Sequence, residues 1–180
     1  MSLNTPKTGA VATPARDERY QPGTQKITTF LWFDNNAEEA ANFYTSVFKN
    51  SRILTTARYP EGGPAPTGSV MVVDFELEGQ RFTALNGGPH FKFNEAISLL
   101  VHCKTQEEVD YYWEKLTADG GQESQCGWLK DKFGLSWQIT PDELLKVWTE
   151  GDPAKAQRVM QAMMTMKKLI IEDLEAAAAG

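Results

Sequence analysis

The chain has 180 residues, 41% of them hydrophobic and 23% charged, with 24 acidic against 18 basic side chains and a formal net charge of −6. That length suits one domain, or two small pseudo-repeats sharing one core. No apolar run approaches the about 20 residues of a membrane-spanning helix and no cluster of Lys and Arg offers a surface to phosphates, so neither membrane nor nucleic acid is expected as a partner.

Cys103 and Cys126 are too few for a disulfide framework, and no basic segment followed by an apolar stretch opens the chain. The cytoplasm is the expected location. Residues 1–25 are rich in Thr, Pro, Gly and Ala and nearly devoid of large apolar side chains, which predicts a disordered leader.

Order is expected from Ile27, where Ile27 to Phe33 forms a β-branched and aromatic run ended by Asp34-Asn35-Asn36. Asn36 with Glu39 three residues later predicts a capping box. Ala40, Phe43, Tyr44, Val47 and Phe48 then recur at helical spacing. Arg52 to Tyr59 reads as a strand, followed by a Gly/Pro-rich loop from Pro60 to Gly68 long enough to suspect function. Ser69 to Leu77 alternates, with Met71, Val73, Phe75 and Leu77 on one face and Asp74 and Glu76 on the other. Glu78-Gly79 turns it into Gln80 to Leu85 as a hairpin.

The pattern then repeats. Ile97 to Cys103 is a second apolar strand, Thr105 and Glu108 a second capping box, and Val109, Tyr112, Trp113 and Leu116 a second helical stripe. Ile27 and Ile97 lie 70 apart, while Gly79 to Leu85 matches Gly134 to Thr140 at an offset of 55. Two βαβββ units follow, in an α+β fold. The units span about 26–89 and 96–141, within a domain of residues 26–148.

Thr140-Pro141-Asp142-Glu143 predicts a capping box with Pro at the first helical position, and Asp152-Pro153 opens a second helix in the same way. Residues 149–180 form a helical arm carrying Val159, Met160, Met163, Met164 and Met166. Its apolar stripe is expected to dock on the domain or on a second subunit, which makes a homodimer the expected assembly.

Tandem βαβββ units resemble the glyoxalase/bleomycin-resistance, or vicinal oxygen chelate, superfamily, which implies curved mixed sheets around a cavity. Three stretches are similar to its PhnB-like branch, some of whose members bear the label demethylubiquinone methyltransferase: Phe30 to Asp34 running into Ala37 to Tyr44, Phe82 to Pro89, and Cys126 to Gln138. The tail from Lys155 to Met163 is also similar to that branch. No Gly-rich strand-to-helix turn of the kind that cradles a nucleotide-like cofactor accompanies them, which weighs against that label.

The resemblance implies four metal positions, one each on the first and last strand of either unit. They fall on Ile27, Thr83, Ile97 and Gln138, of which Gln138 alone has a usable donor, so no tightly held metal and no cofactor are expected. His90 in the inter-unit linker and His102, turned towards the helix in this register, are expected to be ordinary histidines. Period-two alternation places Thr29 and Leu31 on the cavity wall with Thr83 and Arg81 from one unit and Ser136 and Gln138 from the other, with Asp74 and Glu76 on the neighbouring strand expected to complement Arg81. Trp128 is either core or a stacking platform.

The expected function is that of a small-molecule binder, its ligand held in the inter-sheet cavity without metal, as bleomycin resistance works by sequestration. The alternative is a PhnB-like enzyme, a lyase, dioxygenase or methyltransferase, acting through acid–base chemistry at Asp74 or Glu76 near Arg81, or through a metal loosely held at Gln138. An interaction module acting through the helical arm is a third possibility.

Overall fold

A computed structural model describes residues 25–180, which divide into two compact units between Gly88 and Pro89. The expected leader lies outside the described residues except for Gln25, which is part of the folded first unit.

The first unit comprises β1 (Thr29–Phe33), α1 (Ala37–Val47), β2 (Ser51–Arg58), β3 (Val70–Leu77) and β4 (Gln80–Asn86). Its sheet has the order β1-β4-β3-β2, with β1 parallel to β4 and the remaining neighbours antiparallel. The second comprises β5 (Leu99–Cys103), α2 (Gln106–Thr117), β6 (Gln122–Glu123), β7 (Trp128–Lys130) and β8 (Ser136–Pro141), in the equivalent order β5-β8-β7-β6. The fold is α+β, with two four-stranded mixed sheets. The repeat extends to the register: Thr29 pairs with Phe82 and Leu99 with Trp137, partners offset by 70 and 55 between the units.

Each helix covers one face of its sheet. Ala37, Ala40, Ala41, Tyr44 and Val47 of α1 are buried, and the Tyr44 ring stacks on Phe75 at 6.1 Å, with Phe82 beyond it at 5.4 Å. In the second unit Val109, Trp113 and Leu116 of α2 are buried against its sheet, where Cys103, Leu129, Trp137 and Ile139 form the core. Burying such side chains stabilises by about 1.5–3 kcal/mol each, which is what holds a helix to a sheet.

The first strands begin two residues later than expected, at Thr29 and Leu99, leaving Ile27 and Ile97 84% and 72% exposed. At Ile27 a side chain takes the place of the ladder: Gln25 Nε2 donates to the Ile27 carbonyl at 2.7 Å, while its Oε1 accepts from the Arg81 amide at 3.2 Å. Asn36 makes no side-chain cap; Asn86 Oδ1 accepts from the Ala37 amide at 2.8 Å instead. Thr105 does cap α2, accepting from Glu108 N at 3.3 Å. The Pro60–Gly68 loop joins β2 to β3 and is closed at its base by Tyr59 and Ser69, whose backbones are bonded at 2.9 Å.

Helices α3 (Asp142–Thr149), α4 (Pro153–Met163) and α5 (Ile171–Ala179) follow. Strand β8 runs through Pro141, so Thr140 belongs to the sheet and does not cap α3. Asp152 caps α4 as expected, accepting from Ala154 N and Lys155 N. Leu144, Val147, Val159, Leu169 and Leu174 form a small core of their own, with Met163 and Met166 packed against it. The methionine stripe is therefore divided, since Met160 and Met164 face outward at 49% and 64% exposure. The arm is stitched to the second unit by Cys126 N and Gly127 N, which donate to Met166 O and Lys167 O at 2.8 and 2.7 Å. Gln106 bonds both Leu169 O and Ile171 N. Lys168 pairs with Asp110 and, with Gln106, holds its carboxyl below the ordinary carboxylate range.

Candidate functional site

In each unit the sheet face turned away from its helix gathers the polar candidates. On the first, cross-strand pairing forms three rows. Arg52, Glu76 and Arg81 make one, with Arg52 Nη1 at 3.1 Å from Glu76 Oε1. Thr55, Asp74, Thr83 and Phe30 make the next, in which Thr83 Oγ1 donates to Asp74 Oδ1 at 2.6 Å. Ala57, Val72, Leu85 and Trp32 make the third. Gln25, Thr28, Asp74, Arg81 and Thr83 line a small cavity of about 50 Å³. Phe30 beside it is 59% exposed.

The second unit repeats the plan with different chemistry. Leu100, Gln138 and Trp128 form its middle row, flanked by Ser136 with Lys130 and by His102 with Thr140. Gln138 Nε2 donates to Ser98 Oγ at 2.8 Å, Lys130 pairs with Glu95, and His102 Nδ1 lies 3.3 Å from Asp142 Oδ1. Ser136 and Thr140 are buried.

Asp74, Arg81 and Thr83 thus share one face, and Trp128, Ser136 and Gln138 share the corresponding face of the other unit. Thr29 and Leu31 require correction. They pair with Phe82 and Ala84 and lie on the side that α1 covers, because a one-residue step along a strand reverses the face. The residues in phase with Thr83 are Phe30 and Trp32, and those in phase with Gln138 are Leu100 and His102. His102 accordingly faces away from α2.

Phe30 and Trp32 were hidden because every residue from Phe30 to Phe33 is apolar, and an unbroken apolar run has no phase. The signal that could have found Trp32 is glycine at position 87. A Cβ there would sit 2.3 Å from the Trp32 ring, whose Nε1 donates to Gly88 O at 2.8 Å.

Two quoted stretches turn out to be supports. Asn86 caps α1 and its Nδ2 donates to Val70 O at 3.0 Å, so the Phe82–Pro89 stretch is a corner that fixes strand and helix together. In the Cys126–Gln138 stretch the buried Asp131 carboxylate accepts from Phe133 N, Leu135 N and Trp137 Nε1 at 2.9, 3.0 and 2.8 Å, closing the turn from β7 to β8. Burial pushes the Cys103 thiol up to about 12, with the Glu108 and Asp142 carboxylates adding to it.

The residues do not fit a divalent metal. The polar groups beside the last-strand positions are Thr28 and Asp74 with Thr83, and Ser98 with Gln138, a single carboxylate among hydroxyls and an amide, with Thr83 already bonded to Asp74 and Gln138 to Ser98. Among the described residues no group of three His, Cys, Asp or Glu side chains is placed to hold an ion. Among the described residues neither strand-to-helix turn is a glycine-rich cradle for a nucleotide-type cofactor: the β1–α1 and β5–α2 turns lack glycine, and the Gly-rich Pro60–Gly68 loop joins two strands. Among the described residues no helix is long and apolar enough to cross a membrane.

The PhnB protein of Bacillus cereus is 44% identical to this chain, the likeness covering 65% of this chain and 99% of the other, with a TM-score of 0.60. A protein from Staphylococcus aureus is 35% identical over 63% of this chain and 93% of its own, with a TM-score of 0.30. Protein PA1353 from Pseudomonas aeruginosa shares the fold at 18% identity and a TM-score of 0.50, over 64% of this chain and 96% of its own. No curated protein matches the sequence. The model of the family described as 3-demethylubiquinone-9 3-methyltransferase matches residues 25–140. That match, together with the tandem βαβββ topology, means that the chain belongs to this PhnB-like family of the glyoxalase/bleomycin-resistance superfamily.

Proposed function

We propose that the protein binds a small molecule on the open faces of its two sheets, without metal, and acts by holding it. The supporting observation is the composition of the first face, where exposed Phe30 adjoins the Thr83–Asp74 pair and Arg81. An aromatic surface beside a few oriented donors and acceptors is the usual make-up of a ligand site. The second face offers Leu100, Trp128 and Gln138 in the corresponding row. A planar molecule with both a polar edge and an apolar face suits these groups.

A cytoplasmic homodimer is part of the same reading. Ile27, Phe30, Phe91 and Ile97 are large, apolar and exposed, which favours coverage by a second copy.

The test is native mass spectrometry of freshly isolated protein, followed by titration of the recovered molecule against tryptophan fluorescence. Retention of one compound, with binding weakened in Arg81→Ala and Thr83→Ala, is the expected result. Absence of any retained compound, with no response to a panel of planar acids and amines, overturns the proposal. Turnover of the compound, lost in Asp74→Asn while binding persists, would establish the enzymatic alternative instead.

A further inference from the structure

We propose that Cys126, Met164 and Met160 form a surface site for a soft monovalent metal ion, Cu(I) or its analogue Ag(I), at the seam between the arm and the second unit. The observation that carries it is the approach of two soft ligands from elements distant in sequence: Cys126 Sγ lies 3.7 Å from Met164 Sδ. Metal–thiolate bonds of about 2.3 Å opened to a near-trigonal angle separate two sulfur atoms by about 4 Å, so a small adjustment admits an ion between them.

The seam also fixes the pair in place. Backbone bonds from Cys126 N to Met166 O and from Gly127 N to Lys167 O, 2.8 and 2.7 Å long, pin both sides. Cys126 has φ of 58°, a left-handed conformation rare for a non-glycine residue and held here by those bonds. Met164 caps α4, and its amide donates to Met160 O at 3.0 Å. Met160 therefore lies one turn back along the helix, is exposed like Met164, and is the candidate for a third sulfur ligand.

Three other sulfur atoms among the described residues are disposed differently. Cys103 is buried in the second core, and Met163 and Met166 pack on the core of the arm. Thiolate and thioether ligands favour soft ions such as Cu(I) over hard ions such as magnesium or calcium. Binding forms a sulfur–metal bond at Cys126 and releases its thiol proton to solvent, with no change of oxidation state. The bound ion ties the end of α4 to the corner before β7.

The experiment uses the full chain under anaerobic, reducing conditions, with Ag(I) and Cu(I) as probes, read by native mass spectrometry and by competition with a chromogenic Cu(I) chelator. One equivalent is expected to bind. Cys126→Ser should lose stoichiometric binding, Met164→Leu should weaken it about tenfold, and Cys103→Ala should leave it unchanged. X-ray absorption of the copper-loaded unsubstituted protein, which does not depend on any variant folding, should show an all-sulfur shell. Retention of the bound equivalent in Cys126→Ser, parental affinity in Met164→Leu, or a nitrogen and oxygen shell would each overturn the proposal.

Discussion

The indole of Trp137 donates to the Asp131 carboxylate at 2.8 Å in the interior of the second unit, six residues along the chain from it. The same carboxylate holds two backbone amides, so it is an acceptor hub for the β7–β8 turn. Asp131→Ala would leave three N–H groups without their acceptor and is expected to cost about 3–5 kcal/mol. Trp137→Phe, which loses one bond and keeps most of the ring, should cost less. Denaturant unfolding of the two single variants and the double variant checks this, and the double should fall well short of the sum.

The buried Cys103 thiol has its pKa raised from 9.0 to about 12. A group with a raised folded pKa contributes stability that is fully present below its unfolded value and is lost as pH rises through the folded one. Native stability should therefore decline between about pH 9 and pH 12, and Cys103→Ala should lack that component of the slope. At pH 8 a thiol reagent should label one cysteine in native protein and two in denatured protein. Prompt double labelling of native protein would contradict the burial.

Much of the fold was legible in the sequence because its signals are local or repeated. Capping at Thr105 and Asp152, alternation from Ser69 to Leu77 and the paired offsets of 70 and 55 all reappear in the structure. The candidate site was half legible. Asp74, Arg81 and Thr83 lie on a hairpin whose charges mark its phase, whereas Phe30 to Phe33 carries no polar residue to mark one. The cap of α1 and the hub at Asp131 were invisible for another reason: each is a tertiary contact or a turn closure whose residue type, Asn or Asp, also suits an ordinary loop.

Correcting the phase of the first strand alters where a metal could be introduced. Thr28→His with Thr83→Glu places an imidazole and a carboxylate at one cavity, so zinc or nickel should bind measurably by calorimetry. Ile27→His with Thr83→Glu should not bind, because Ile27, unlike Thr28, does not line that cavity and is solvent-exposed. The reverse result would restore the register in which Ile27 faces Thr83.

Leu169 is fully buried where the arm meets the second unit, touching both its own small core and the space beside Gly127. Leu169→Ala should destabilise the protein by about 2–5 kcal/mol. Met160→Ala, on the exposed side, should fall within about 0.5 kcal/mol of the parent. Hydrogen exchange in α5 should accelerate in the first variant alone. Removing residues 152–180 altogether would bare Leu144 and Val147, so a change of assembly after that truncation would mix loss of an interface with loss of core.

Helix α1 takes its N-terminal acceptor from Asn86, 49 positions further along the chain. An isolated helix of its 11 residues is shorter than the about 12–15 needed for marginal stability in water. During synthesis, at roughly 5–20 residues per second, α1 exists for several seconds before its cap has been made. The hairpin of β3 and β4 must therefore form and dock before the helix acquires its native end. The early part of the first unit waits on the late part, and a ribosome-bound chain ending before residue 86 should display α1 only as a fraying segment.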